Sequence, residues 1–352
     1  MVIEMQYEMM KKETIYVCSL ELEALLAATH VLLDEEALRQ LGGYDRQQVA
    51  QWKKNYRFLF ESFQAVGKVT AFGILEFLLD SISESFSLEK LEKVILSLPE
   101  DERLFRMVPV WAYEWQISQA DIAAALVDDQ ALDHLYDRVS TKETSFLGLS
   151  SFLRQNRRYI KEYIALAKEM RSAFSSDFMT SYEEGGQTFK EQIITALETD
   201  LPLLVSQQLM GKSFRNRGPY EQYYFIPSLL LPTQCLRLFH EDRTANNRQI
   251  LFYKLGKKSV SQEQTIAAFK ILSDETRYQI LRFLAQSQPV KGQDIIRQMK
   301  LAPSTISHHM SLLKEAALIT EEPVKNAKYY GISKHQIKQL IDILKTDFAI
   351  EE

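Results

Sequence analysis

From Ser19 to Gly211 the apolar positions recur every three to four residues, and the runs are broken by Ser, Asp, Pro and Gly. "SLELEALLAATHVLLDEEALRQLGG" starts at a Ser19 cap and stops at Gly42-Gly43, and "DRQQVAQWKKNYRFLFESFQAVG" repeats the arrangement from Asp45. "SLEKLEKVILSLP", "SQADIAAALVDDQALDHLYDRVS" and "TFKEQIITALETDLPLLVSQQLMG" follow the same logic, so each predicts helix. After Gly218-Pro219 the period shortens. "YEQYYFIPSLLL", "QCLRLFHED" and "RQILFYKL" are short, aromatic and branched, and "EDRTANN" between the last two is a turn cluster. They predict a small sheet with a hairpin, to which "TIYVCS" near the start can add a strand. "GKKSVSQEQ" loses the apolar period and marks a boundary. A mostly helical domain over 1–255 and a second domain over 263–352 are expected.

Beyond the boundary the pattern is compact. "TIAAFKILS", "DETRYQILRFLAQ", "KGQDIIRQMK" and "PSTISHHMSLLKEAAL" predict four short helices, the last two joined by only Leu301-Ala302. "ITEEPVKNAKYYGIS" predicts a two-stranded ribbon with its tip at "PVKNAK", and "KHQIKQLIDILKTDF" a final helix. Two helices across a tight turn followed by a ribbon make a winged helix-turn-helix. The expected fold is therefore mainly α, with a large helical N-terminal domain ending in a small β segment and a winged C-terminal domain.

The segment "APSTISHHMSLLKEAALI" carries the candidate chemistry. At about 100° per residue, Ile306, Met310, Leu313 and Ala317 share one face of a helix, and Ser304, His308, Ser311 and Glu315 the opposite one. His309 flanks the apolar stripe, so the two histidines diverge and cannot converge on one metal unaided. A helix entering a major groove about 8.5 Å deep needs short hydrogen-bonding residues at its leading end. Ser304, Thr305, Ser307 and His308 meet that need. Lys325, Asn326 and Lys328 stand at the ribbon tip, within reach of backbone phosphate. A capped surface helix would also begin with serine; the neighbouring helices and ribbon favour DNA.

Net charge is −5 for 352 residues, which does not suggest a nucleic-acid partner. The distribution does. Residues 261–341 carry 11 Lys+Arg against 7 Asp+Glu, and only the face near phosphate must be positive. Two cysteines exclude a disulfide framework and fit a reducing cytoplasm. No apolar run approaches the ~20 residues of a membrane span, and no signal peptide is visible. A cytoplasmic protein without membrane contact is expected.

"LSDETRYQILRFL", "APSTISHHMSLLKEAALI" and "AKYYGIS" together resemble the ArsR-type winged-helix transcriptional regulators over roughly residues 263–348. The resemblance implies a dimer on double-stranded operator DNA, with the helix Pro303 to Ala317 in the major groove. It places Ser304, Thr305, Ser307 and His308 at DNA, and Lys325 and Lys328 in the wing. Glu275 stands where the family often has proline, an acceptable first-turn residue. Family metal sensors carry cysteines in the helix before the turn, and "KGQDIIRQMK" has none. Others pair Asp and His along the last helix, where this chain has His335 and Asp342 without a second histidine. No metal site and no cofactor are expected.

The N-terminal region is less informative. Trp111, Tyr113, Trp115, Tyr220, Tyr223, Tyr224 and Phe225 could line a ligand pocket, although packing is the simpler reading. Arg154, Arg157, Arg158, Lys161, Lys168 and Arg171 could form a second DNA face, although a solvated helix face is simpler. His30, His134 and His240 are isolated, and no phosphate loop, nucleophile elbow or carboxylate motif appears. The expected function is a dimeric DNA-binding regulator, a repressor, without catalytic residues. Its N-terminal domain would sense an unidentified small-molecule effector or set dimer geometry. The alternative is an enzyme or protein-interaction module carrying a winged-helix appendage.

Overall fold

The computed structural model describes residues 5–348 apart from 43, 67–70, 142–143, 212–217, 241–246, 257–261, 287–289 and 325–326. The chain divides into two compact units, Met1–Thr195 with Tyr220–Gly256, and Ala196–Pro219 with Lys257–Glu352.

In the first unit a five-stranded sheet has the order β1-β2-β3-β5-β4. Its strands are β1 (Met5–Met9), β2 (Thr14–Ser19), β3 (Gln222–Ser228), β4 (Cys235–Phe239) and β5 (Arg248–Lys254). β2, β3 and β5 run parallel, and β4 closes the expected hairpin on β5. β2 is buried at every position, as a central strand covered on both faces must be. β1 was not foreseen. "MQYEM" has no branched residue, and it pairs at the sheet edge with most positions half-buried.

Several runs that predict one helix fold as two. Leu20–Leu33 and Glu35–Gly42 part at Asp34, and Arg46–Asn55 and Arg57–Val66 part at Tyr56. Gln119–Val127 and Asp129–Val139 part at Asp128, whose extended backbone ends one helix while its carboxylate accepts from the Gln130 amide of the next. Side-chain capping outweighs a continuous apolar period at that point. Ser176–Thr199 ends before Pro202, which lacks an N–H and opens the next helix instead.

Helices of the second unit are labelled α1 (Pro202–Met210), α2 (Gln262–Leu272), α3 (Glu275–Gln286), α4 (Gly292–Met299), α5 (Pro303–Glu315) and α6 (Lys334–Asp347). α1 packs against α6. A three-stranded sheet of order β6-β8-β7 joins β6 (Val290–Lys291), β8 (Ala327–Ile332) and β7 (Ile319–Val324), antiparallel throughout. α4, a short turn and α5 form the helix-turn-helix, and β7 with β8 forms the wing. Ile280, Leu284, Ile295, Ile306, Met310, Leu313 and Leu318 make the centre of its core. The molecule is mainly α.

α5 ends two residues earlier than its apolar stripe suggests. Ala317 is exposed, with φ of 55°, rather than buried on that stripe. The Leu318 amide donates to the Leu313 carbonyl and the Ala317 amide to that of Lys314, a Schellman closure that favours glycine at Ala317. Ala317→Gly is expected to stabilise this unit by about 0.5–1 kcal/mol, left-handed strain relieved less the added chain entropy. Thermal melting checks it, and a lower midpoint would show that Ala317 is unstrained.

Candidate nucleic-acid interface

α5 is set by its buried stripe. Ile306, Met310 and Leu313 lie in the core, which turns Ser304, Thr305, Ser307 and His308 outward, all exposed. Pro303 opens the helix and needs no amide partner at that position. The turn before it is tight because Lys300 takes the left-handed conformation, φ 54°, and donates its amide to Ile296. The structure thus brings four of the candidate side chains onto the leading end of one exposed helix.

His309 goes elsewhere. It is half-buried at the shoulder of α5, with Nδ1 3.8 Å from an Asp274 carboxylate oxygen. Asp274 caps α3 by accepting from the Arg277 amide at 2.9 Å, and this bond holds its carboxyl below the usual carboxylate range. The Arg277 side chain turns back and donates to the Ile271 carbonyl at 2.6 Å, closing the end of α2. This junction fixes the angle at which α3 supports α5. The His308 and His309 ring centres are 6.1 Å apart with planes inclined by 50°, in keeping with their divergence on the helix.

Among the wing candidates, Lys328 is exposed on β8, and Lys325 and Asn326 lie outside the described residues. Two side chains that the periodic pattern does not single out stand beside them. Glu321 on β7 accepts from Lys328 at 3.2 Å and from Lys314 of α5 at 3.3 Å. Burial alone would push the Glu321 carboxyl up, but the two ammonium groups outweigh it and hold it below its ordinary value. No sequence spacing announces this contact, because it depends on where the wing folds back. Between α5 and the wing lies a cleft of about 350 Å³, floored by Ile295, Ile296, Ile306 and Met310.

The N-terminal candidates occupy ordinary places. Trp111, Tyr220, Tyr223, Tyr224 and Phe225 are buried, while Tyr113 is exposed and Trp115 half-buried. Of the cationic cluster, Arg154 pairs with Asp129, Arg158 with Glu162, Lys168 with Glu89 and Arg171 with Glu21. His30 is buried with Nδ1 2.9 Å from the Leu230 carbonyl. His134 is exposed, and His240 Nδ1 accepts from the Arg248 amide. Among the described residues no three His, Cys, Asp or Glu side chains gather as metal ligands, and no helix is long and apolar enough to cross a membrane. The side chains of His335 and Asp342 lie outside the described ones.

Residues 274–321 match the family model described as bacterial regulatory protein, arsR family. An uncharacterized HTH-type transcriptional regulator of Methanocaldococcus jannaschii is 30% identical over 82 residues, 92% of its length and 23% of this chain. The uncharacterized HTH-type transcriptional regulator YbzH of Bacillus subtilis is 33% identical over 98 residues, 98% of its length and 24% of this chain. The transcriptional repressor SdpR of Bacillus subtilis is 31% identical over 74 residues, 81% of its length and 21% of this chain. A tight helix-turn-helix with a polar leading end, a wing and these relatives agree, and the chain belongs to the ArsR family of regulatory proteins, with a DNA-binding winged helix-turn-helix.

Proposed function

We propose that this protein is a homodimeric transcriptional repressor that reads operator DNA with Ser304, Thr305, Ser307 and His308. The observation that carries this reading is the exposure of all four on one end of α5 while Ile306, Met310 and Leu313 anchor its other face. Short hydroxyls and an imidazole can follow base edges into the major groove without steric conflict. Lys328 on the wing, together with Lys325 and Asn326, supplies phosphate contacts that fix register. Repression follows the function named for the SdpR relative. Dimer formation is supported by exposed apolar side chains on α2 and α6, Ile266 and Ile341, together with Phe348 just beyond α6. Paired recognition helices must meet major grooves about 34 Å apart. The N-terminal unit sets that spacing or transmits a small-molecule effector to it, and no catalytic role is assigned to it.

A mobility shift on the DNA upstream of the protein's own gene tests the reading. Ser307→Ala or His308→Ala should cost about 1–3 kcal/mol of specific affinity per lost base contact and little on random duplex. Lys328→Ala should instead weaken all duplexes and lower the salt slope by about 0.9. Equal losses on specific and random DNA for the helix variants would overturn the division of roles. Sedimentation of the intact chain as a monomer on DNA would overturn the dimer.

A further inference from the structure

We infer that Glu321 is a positioning residue for DNA reading, tying the wing to the recognition helix so that both meet the duplex in one fixed register. The inference rests on the DNA-reading proposal above and names the device that gives it geometric discrimination.

The cleft between α5 and the wing has Ser307, Ser311 and Lys314 on its helix wall and Glu321, Lys328 and Tyr330 on its wing wall. An open cleft lacks the interdigitated side chains that elsewhere fix one element against another. The base of the wing packs on the core through Ile319 and Ile332, and across the open cleft beside it a directional polar contact sets the spacing. The Glu321 carboxylate provides it. Its contact with Lys314 crosses from wing to helix, and its contact with Lys328 crosses from β7 to β8. The ladder places Glu321 opposite Tyr330, and Pro323 opposite Lys328, so Glu321 and Lys328 are diagonal neighbours on one face of the wing. The two ammonium groups hold the Glu321 carboxyl below its ordinary value, so it is ionised at neutral pH, and burial, then its charge, pushes the neighbouring Tyr330 phenol up to about 12.

Exposure decides what such a triad can do. Lys314 and Lys328 are 56% and 62% exposed, and pairs of that kind add little to stability. Glu321 is only 18% exposed and holds both cations at once. Its effect is therefore on where the two ammonium groups stand. Each keeps N–H donors free for a phosphate oxygen, since an ammonium carries three. A phosphodiester at the cleft mouth meets one lysine from the helix and one from the wing, at a separation set by Glu321. That contact fixes register without reading sequence, and Ser307 and His308 then arrive at one particular base step.

Two opposing effects separate this role from a plain surface charge. Glu321→Gln removes a negative charge beside the DNA face, which alone would raise affinity for every duplex. Loss of positioning lowers only the preference for the right one. The test uses the full-length protein, a duplex it selects from a random pool, and an arbitrary duplex of equal length, titrated by fluorescence anisotropy. Glu321→Gln is expected to bind the arbitrary duplex as well as or better than the unmodified protein, and to lose about tenfold in preference for the selected one. Lys314→Met, which cuts the same tie from the helix side, should also lose the preference, and Lys314→Arg should keep it. If Glu321→Gln tightens both duplexes by the same factor, Glu321 is only a charge. If it tightens the selected duplex more, the carboxylate competes with phosphate, and positioning is equally refuted. A protein that selects no duplex at all would instead refute DNA reading, before Glu321 is altered.

Discussion

Replacing Leu313 by alanine is expected to cost the winged helix about 2–5 kcal/mol and to remove DNA binding with it. Leu313 has no exposed surface and sits among Ile280, Leu281, Leu284, Ile306 and Met310. Truncation loses the transfer energy of three carbons and leaves a cavity that α5 can fill only by rotating. Rotation is what the site cannot absorb, since it moves Ser307 and His308 away from the groove. Its carbonyl also accepts from the Leu318 amide at the end of α5, so any shift loosens the entry into β7. A domain of ordinary stability has only about 5–15 kcal/mol to lose. Amide exchange along α3 and α5 reads the effect directly. Protection equal to that of the unmodified protein would show that the core repacks around the gap.

The helix-turn-helix was legible in sequence because its apolar residues keep a strict helical spacing and its turn is short, only Lys300 to Ala302. Ile306, Met310 and Leu313 are buried as that spacing requires. The end of α5 was not legible, because Ala317 carries no sign that it takes a left-handed backbone. β6 escaped for a different reason. A two-residue strand has no period, and it exists only because Val290 and Lys291 meet Tyr330 and Tyr329 on β8. In the N-terminal unit the apolar pattern showed the helices but not their breaks, since Asp34 and Asp128 interrupt runs that continue apolar on either side. The triad around Glu321 was invisible, because seven residues separate it from Lys314 across a helix end. A buried acid is the hardest case. In "SLELEALL" Glu21 and Glu23 look alike, yet Glu21 pairs with Arg171 near the surface and Glu23 has no exposure at all.

That difference predicts a pH dependence in the N-terminal unit. Glu23 Oε1 accepts from the Leu229 and Leu230 amides, both at 2.7 Å, while Oε2 is buried without a hydrogen-bond partner. Burial pushes the Glu23 carboxyl up to about 7, against the opposing pull of the Ser228 hydroxyl, the two amides and the Lys254 charge. The unfolded chain releases the same proton near the ordinary value of 4.5. Between those two values the folded state holds a proton that the unfolded state has lost, so stability falls as pH rises. Over that window the loss is about 3 kcal/mol at about 1.36 kcal/mol per unit. Above pH 7 both states are ionised and the dependence levels off. Glu23→Gln keeps an oxygen for the two amides and cannot ionise. It should come within about 1 kcal/mol of the unmodified protein at pH 5, exceed it by up to about 3 kcal/mol at pH 8, and flatten the curve between. Urea titrations at pH 5, 6, 7 and 8 measure this, and parallel curves for the two proteins would show that Glu23 ionises without cost where it is buried.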